Sequence, residues 1–426
     1  MTIKSISTNI GKALLINAFF MFIAIVISVI EGFDSGFTPL AISFSVTFIT
    51  GMFPFIFVKS EPSATLQSGF MTIVLSWLLS FVFGMLPYVL WGGEFTLINA
   101  WFESVSGYTT TGATILTDIE SLPKSILFWR SSTHFIGGLG VIIFLLMVLP
   151  DSSAVKLRLT HLELSSLSKE GYRFRSGTTA RVMVGVYCAL TTCLFLLLWA
   201  AGMSPFDAVN HAFSTVSTGG FSTRNISIMH YDSVIIDIIL TVFMILSSMH
   251  FGTLFAIAVK RSFKPLGNSV TRYYLSIIAV ISIIIMLSLK LQGGYESWGK
   301  ALLDSTFQTA SYISTTGFGQ ADNALWPLLA NTLLIFAAFH CGCSGSTTGG
   351  IKADRAYISI KAIYGEFQKR LHPNSMFRTR INGRILDEET ISSVFLYIVL
   401  YLFTALVSFT LVLICGISVG DAFSGT

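Results

Sequence analysis

Thr109-Thr110-Thr111-Gly112-Ala113-Thr114 is a polar segment set between apolar stretches, and the chain repeats it twice. Its counterparts are Ser217-Thr218-Gly219-Gly220-Phe221-Ser222-Thr223 and Ser314-Thr315-Thr316-Gly317-Phe318-Gly319. Asn99-Ala100, Asp207-Ala208 and Asp304-Ser305 begin thirteen residues before Gly112, Gly220 and Gly317. An offset held three times marks an internal repeat.

Elementary physics says what such a unit is. Asn and Asp are favoured helix N-caps, so Asn99, Asp207 and Asp304 are read as caps. About ten helical residues follow in each, roughly 15 Å, or half a bilayer core. Glycine then permits the backbone to leave the helix. A half-membrane helix followed by irregular backbone is a re-entrant loop, which survives at membrane depth only buried in protein or lining water. The helix C-terminus carries partial negative charge and favours a cation. The loop carbonyls can replace a cation's hydration shell. The alternative is that the three patches only let helices pack closely.

Composition fixes the class. Of 426 residues, 53% are hydrophobic and 11% charged, with a mean hydropathy of +0.74. A soluble domain carries about 25% charged residues, so this is a polytopic membrane protein. No A-x-A cleavage site closes the first apolar segment, which reads as a retained helix. Cys188, Cys193, Cys341, Cys343 and Cys415 lie in or beside apolar segments and serve as small apolar residues. There is no H-E-x-x-H and no Cys/His set of metal-site spacing, so the chain does not read as an enzyme.

Apolar segments long enough to span occur near 12–31, 39–58, 66–92, 125–149, 182–202, 232–259, 273–292, 325–363 (interrupted) and 391–416. Half-helices lie near 99–108, 207–216 and 304–313. Lys and Arg concentrate in the loops 150–181, 260–272 and 352–390, which places those loops and the N-terminus in the cytoplasm. The three Thr/Gly loops then fall outside. The expected fold is all-α: 1–62 two introductory transmembrane helices, 63–150 a first pore repeat, 151–262 a cytoplasmic loop and second repeat, 263–363 a third, and 364–426 a cytoplasmic loop and partial fourth. Asp421-Ala422 matches the start of another half-helix, and the same offset puts a fourth glycine eight residues beyond Thr426. The three loops present are expected to converge on one axis with the fourth side open.

Cys341-Gly342-Cys343-Ser344-Gly345-Ser346-Thr347-Thr348-Gly349-Gly350 splits the second span of the third repeat. Four glycines in ten residues do not make ordinary helix. A helix over 324–340 would carry this break roughly 25 Å inward. It reads as a gating plug on the cytoplasmic side of the loops, edged by Lys352 and Arg355, or alternatively as a static kink.

These motifs, TTTGAT, STGGFST, STTGFG and GCSGSTTGGIK, resemble those of the Trk/Ktr/HKT superfamily of potassium transporters, in particular its bacterial Trk membrane subunits. The resemblance implies a pseudo-fourfold arrangement of span, re-entrant half-helix, filter loop and span. It implies K⁺ held mainly by backbone carbonyls of Thr110, Thr111, Gly112, Thr218, Gly219, Gly220, Thr315, Thr316 and Gly317. Relatives with serine at the first-loop glycine transport Na⁺, so glycine in all three loops favours K⁺. The family's intramembrane gate matches 341–350, which puts Gly342, Gly345, Ser346, Thr347, Gly349, Gly350 and Lys352 at the gate. The resemblance further implies a homodimer in the bacterial cytoplasmic (inner) membrane. Its cytosolic partner would be a TrkA-like regulatory ring that binds NAD(H) or ATP, with no organic cofactor in this chain. Nucleic acid is not among the implied partners, and the basic loops suit the ring or anionic lipid. The competing function is a secondary transporter for a small organic solute, built on broken helices.

Four polar residues complete the reading. His134, His250 and His340 each lie in a second span and are expected to make helix–helix hydrogen bonds. Glu103 lies inside the first half-helix, facing either the vestibule or a neighbouring loop.

Overall fold

The computed structural model describes residues 3–58, 66–147, 176–292, 294–372, 379–382 and 384–425. The basic stretch 150–175, Arg378 and the expected limits at 62/63 and 150/151 lie outside the described residues.

Helices α1 (Ile3–Ile30) and α2 (Phe37–Phe57) form an introductory hairpin. They cross closely at small residues: a Cβ on Gly11 would lie 2.7 Å from the Gly51 carbonyl oxygen. The Asp34 carboxylate in the turn accepts from Ser28 Oγ at 2.5 Å and from Ser125 Oγ at 2.7 Å, which ties the hairpin to the first repeat.

The first repeat contains α3 (Leu66–Gly84), α4 (Leu86–Trp91), the half-helix α5 (Leu97–Tyr108) and α6 (Lys124–Met147). The second contains α7 (Ser176–Ala200), the half-helix α8 (Pro205–Val216), α9 (Val234–Ser247) and α10 (Phe251–Lys260). The third contains α11 (Ser269–Leu291), the half-helix α12 (Trp298–Ile313), α13 (Leu328–His340) and α14 (Ala353–Leu371). Then come α15 (Glu388–Ile414) and α16 (Val419–Gly425). A two-residue-per-strand hairpin, β1 (Arg380–Ile381) with antiparallel β2 (Arg384–Ile385), is a small addition to the all-α reading.

Three buried cores surround the half-helices, and the second also takes in Phe135 of α6 and Phe307 of α12. Tyr88, Tyr108 and Trp129 belong to the first, Tyr187, Val216 and Phe243 to the second, and Tyr274, Ile313 and Leu334 to the third. Ala100, Ala208, Ala212, Ala301 and Ala310 are fully buried, so the half-helices pack closely through small side chains.

Among the described residues, six helices are long and apolar enough to span, or seven if the bent pair α9–α10 is one span. The sequence suggested nine. The other two correspond to α6 (Lys124–Met147) and to α13, which has 13 residues.

The cap assignments require correction. Thr96 Oγ1 accepts from the Asn99 amide at 3.3 Å and Ser204 Oγ from the Asp207 amide at 3.0 Å, while α12 begins after Ser297. Ser418 Oγ likewise accepts from the Asp421 amide at 3.2 Å. The hydroxyl of a Thr or Ser reaches the third helical amide, so Asn99, Asp207 and Asp421 sit one turn inside, and Asp304 is deeper still. The half-helices therefore start before 99, 207 and 304.

The apolar segment 232–259, read as a span, forms α9 and α10 and is bent by 105° at residues 248–250. Ser247 and Ser248 donate back to the carbonyls of Phe243 and Met244, which opens the helix ladder. His250 Nδ1 then accepts from the Thr253 amide at 3.3 Å. His250 thus caps α10.

Candidate functional site

The three Thr/Ser/Gly loops share one backbone. Thr110, Thr218 and Thr315 are left-handed, with φ of 53°, 58° and 57°. The following amides of Thr111, Gly219 and Thr316 return to the carbonyls of Ser106, Ser214 and Ser311 at 2.9, 2.8 and 3.0 Å. This is the Schellman arrangement, so a threonine ends each half-helix, where glycine was expected. A β-branched residue with positive φ is strained, and strain of this kind persists where the surroundings enforce it. Two residues later Gly112, Gly220 and Gly317 also have positive φ, at 77°, 87° and 81°.

The loops come together in sequence. A Cβ on Gly112 would lie 2.0 Å from the carbonyl oxygen of Gly219. A Cβ on Gly220 would lie 1.9 Å from the carbonyl oxygen of Thr316. Each glycine packs on the carbonyl just before the next loop's glycine, and the same relation carries loop one to loop two and loop two to loop three. A Cβ on Gly317 would meet nothing within 4 Å. Residues 217–219 are buried between their neighbours, whereas Thr109, Thr111 and Gly317 are exposed. Among the described residues the carbonyls of 110–112, 218–220 and 315–317 accept no hydrogen bond.

Gly219 breaks the Thr-Thr-Gly pattern for a steric reason. Thr109 and Thr111 share a hydroxyl contact at 2.8 Å, as Ser314 and Thr316 do at 2.7 Å. In loop two the His134 imidazole fills that place, 2.3 Å from where a Cβ would stand. His134 Nδ1 pairs with Ser214 Oγ at 3.3 Å and its ring stacks on Phe221 at 4.0 Å. His340 joins α13 to α11 through Tyr273 Oη at 3.1 Å. These two histidines are helix–helix partners.

Behind the loops lie three fasteners, of which the sequence pointed only to Glu103. Nine residues before each glycine stands a buried polar residue: Glu103, His211 and Gln308. The Glu103 carboxylate accepts from Thr114 Oγ1 at 3.0 Å and the Ile115 amide at 3.2 Å. His211 Nε2 meets Ser222 Oγ at 3.0 Å. The Gln308 amide group reaches residue 321, its oxygen 3.1 Å from the amides of Gln320 and Ala321 when the carboxamide is turned to suit its neighbours. Each holds its own loop as it leaves the glycine. Glu103 therefore faces its own loop, away from the vestibule.

A second tier lies nearer the outer surface. Asp207 accepts from Thr223 Oγ1 at 2.6 Å and Arg224 Nη2 at 3.0 Å. Asp304 accepts from Gln320 Nε2 at 3.0 Å and Tyr295 Oη at 2.8 Å. Burial, and then the Asp304 carboxylate, push the Tyr295 phenol well above its ordinary value, so it donates as a neutral group. In the first repeat Asn99 caps the Glu94 carbonyl instead. The repeated Asn/Asp position thus fastens loops in two repeats out of three.

The interrupted stretch is a closed bulge. The Ala353 amide donates to the Gly342 carbonyl at 2.7 Å, bringing α14 back beside the end of α13. Cys341, Gly345, Gly350 and Lys352 have positive φ. The bulge docks on the break in α9–α10: the Cys343 amide donates to the Ser248 carbonyl at 2.8 Å, and the Phe251 amide to the Gly345 carbonyl at 3.1 Å. Ser346 is tied within the bulge, through Cys343's carbonyl at 2.6 Å. Thr347 Oγ1 donates to the Val216 carbonyl at 3.0 Å, at the foot of the second loop. Tyr397 of α15 donates to the Gly350 carbonyl at 3.2 Å, and its ring carries the Arg355 guanidinium at 3.9 Å. Among the described residues no group of His, Cys, Asp and Glu could hold a metal ion.

Comparison with known proteins agrees with this architecture. The family model for TrkH, "Cation transport protein", matches residues 40–419. The Trk system potassium uptake protein TrkH of Salmonella typhimurium is 34% identical over 331 residues, covering 77% of this chain and 68% of that protein. TrkG of Escherichia coli is 35% identical over 322 residues, covering 75% of this chain and 66% of that protein. The crystal structure of the potassium transporter TrkH from Vibrio parahaemolyticus superposes with a TM-score of 0.88 at 29% identity, covering 100% of this chain and 88% of that one.

Proposed function

The chain belongs to the TrkH family of cation transport proteins, and we propose that it takes up K⁺ through the three converging loops. The observation that carries this reading is the set of nine loop carbonyls that accept no hydrogen bond and stand where three half-helix C-termini meet. Carbonyls that the protein leaves free can replace the hydration shell of a cation. Thr110, Thr111, Gly112, Thr218, Gly219, Gly220, Thr315, Thr316 and Gly317 coordinate the ion through their backbone.

The bulge at 341–350 gates the path from the cytoplasmic side. Its support is the Thr347–Val216 bond, which joins it to the base of loop two. Gly342, Gly345, Gly349 and Gly350 let it change shape, Ser346 and Thr347 fasten it, and Lys352 marks its inner edge. The protein acts in the bacterial inner membrane with its N-terminus in the cytoplasm, as a homodimer. A cytosolic TrkA-like ring binding NAD(H) or ATP controls it.

The test is Gly220→Ser in the full-length protein, reconstituted in proteoliposomes. Discrimination of K⁺ from Na⁺ falls if the loops form the filter. Unchanged discrimination rejects the reading.

A further inference from the structure

Arg130 is 1% exposed on a membrane helix, and Glu103 beside it is fully buried. A guanidinium enclosed this way carries a large desolvation cost, which partners must offset. Arg130 Nε and Nη2 both donate to Glu103 Oε1, at 2.8 and 2.7 Å. The pair does more than neutralise itself. Nη2 reaches Thr114 Oγ1 at 3.3 Å, and Nη1 reaches the Ser222 carbonyl at 3.5 Å. Thr114 and Ser222 are equivalent residues, each two beyond its loop glycine. The guanidinium plane lies over the Phe221 ring at 4.1 Å.

The seam between loops two and three is made differently. There the amides of Ile228 and Met229 donate to the Gly319 carbonyl at 3.1 and 3.2 Å, and the Gly319 amide donates to Ser227 Oγ at 3.3 Å. Main-chain groups and the Ser227 hydroxyl set that spacing, with Gln320 Nε2 donating to the Asp237 carboxylate of α9 at 3.0 Å. Between loops one and two, directly behind the glycines, Arg130 spans the gap.

We infer that Arg130, acting through Glu103, is a positioning residue for ion selectivity: the pair fixes loop one against loop two and so sets the approach of Gly112 to Gly219. The inference rests on the conduction reading above. A rigid, planar fork suits this bridging, and lysine, a point charge, cannot reproduce it.

The experiment measures rubidium uptake into proteoliposomes, competed by K⁺ or Na⁺, for the full-length protein and three variants. In Arg130→Met the preference for K⁺ over Na⁺ falls about tenfold, the scale of one lost charge-assisted hydrogen bond. Arg130→Lys recovers only part of it. Thr114→Val keeps the ion pair, removes the hydroxyl it grips and lowers the preference by a smaller factor. If Arg130→Met does not fold, Thr114→Val decides. A wild-type ion ratio in folded Arg130→Met, or in Thr114→Val when only that variant folds, overturns the inference, as does an equal loss of uptake for both ions. Gly220→Ser run in parallel separates the two readings. If it keeps the wild-type ratio, the filter reading fails. If it loses the ratio while the Arg130 and Thr114 variants keep it, only the positioning role fails.

Discussion

Two regions of this protein put irregular backbone inside a helical bundle, and they are fastened in different ways. The outer loops have one backbone and many different side-chain fasteners: Glu103 with Arg130, His211, Gln308, Asp207 and Asp304. The bulge at 341–350 has no repeat partner among the described residues. It is held by main-chain bonds to the break at 248–250 and by its own set of side chains: the Asp354 carboxylate accepts from the Ser344 amide at 2.9 Å, Ser346 and Thr348 share a hydroxyl contact at 2.8 Å, and Thr347 and Tyr397 donate to the Val216 and Gly350 carbonyls. Buried polar networks rigidify what they hold, so the proposed gate has to release a defined set of bonds, those of Ser344, Thr347 and Tyr397 among them.

The comparison breaks most readily at Gly220. Serine there meets the Thr316 carbonyl at a distance no Cβ tolerates and also faces a φ of 87°. Backbone strain alone is about 1–2 kcal/mol, so ion discrimination falls about tenfold or more, measured as the K⁺/Na⁺ competition ratio. Next in size is removal of residues 344–349 from the bulge. Uptake rises and loses its dependence on the cytosolic partner, and flux that stays low and regulated rejects the gate. Asp207→Ala strips Thr223 and Arg224 of their acceptor and costs about 1–3 kcal/mol, read as a lower unfolding temperature in detergent with weaker discrimination. The smallest effect belongs to Ser311→Ala. Its hydroxyl donates to the Phe318 carbonyl at 2.8 Å, as Ser106 does to Ala113 at 2.6 Å, and the loss is about 0.5–1.5 kcal/mol.

What sequence made legible follows from what repeats by residue type. Thr and Gly recur in all three loops, so the loops, half-helices and unit order could be read. The bulge could be read because four glycines stand together. The caps were misplaced by a turn because Asn/Asp recurs conspicuously, while the capping hydroxyls of Thr96 and Ser204 sit three residues earlier among ordinary loop residues. A Ser/Thr-x-x-Asn/Asp pattern was the available signal. The role that Glu103 shares with His211 and Gln308 stayed hidden because one position carries three chemistries, and only a shared offset from the glycine and burial unite them. The bend at 248–250 has no Gly or Pro of its own. It comes from a Ser-Ser pair and a histidine cap, whose effect depends on which carbonyls they reach.

The central claim is that loop carbonyls, and not a pocket of mixed polar groups, select the transported solute. Rubidium uptake by the full-length protein in proteoliposomes, competed in turn by K⁺, Na⁺, amino acids and sugars, tests it most directly. The account predicts strong competition by K⁺, weak competition by Na⁺ and none by the organic solutes. Competition by an amino acid or a sugar, or equal competition by Na⁺ and K⁺, contradicts it.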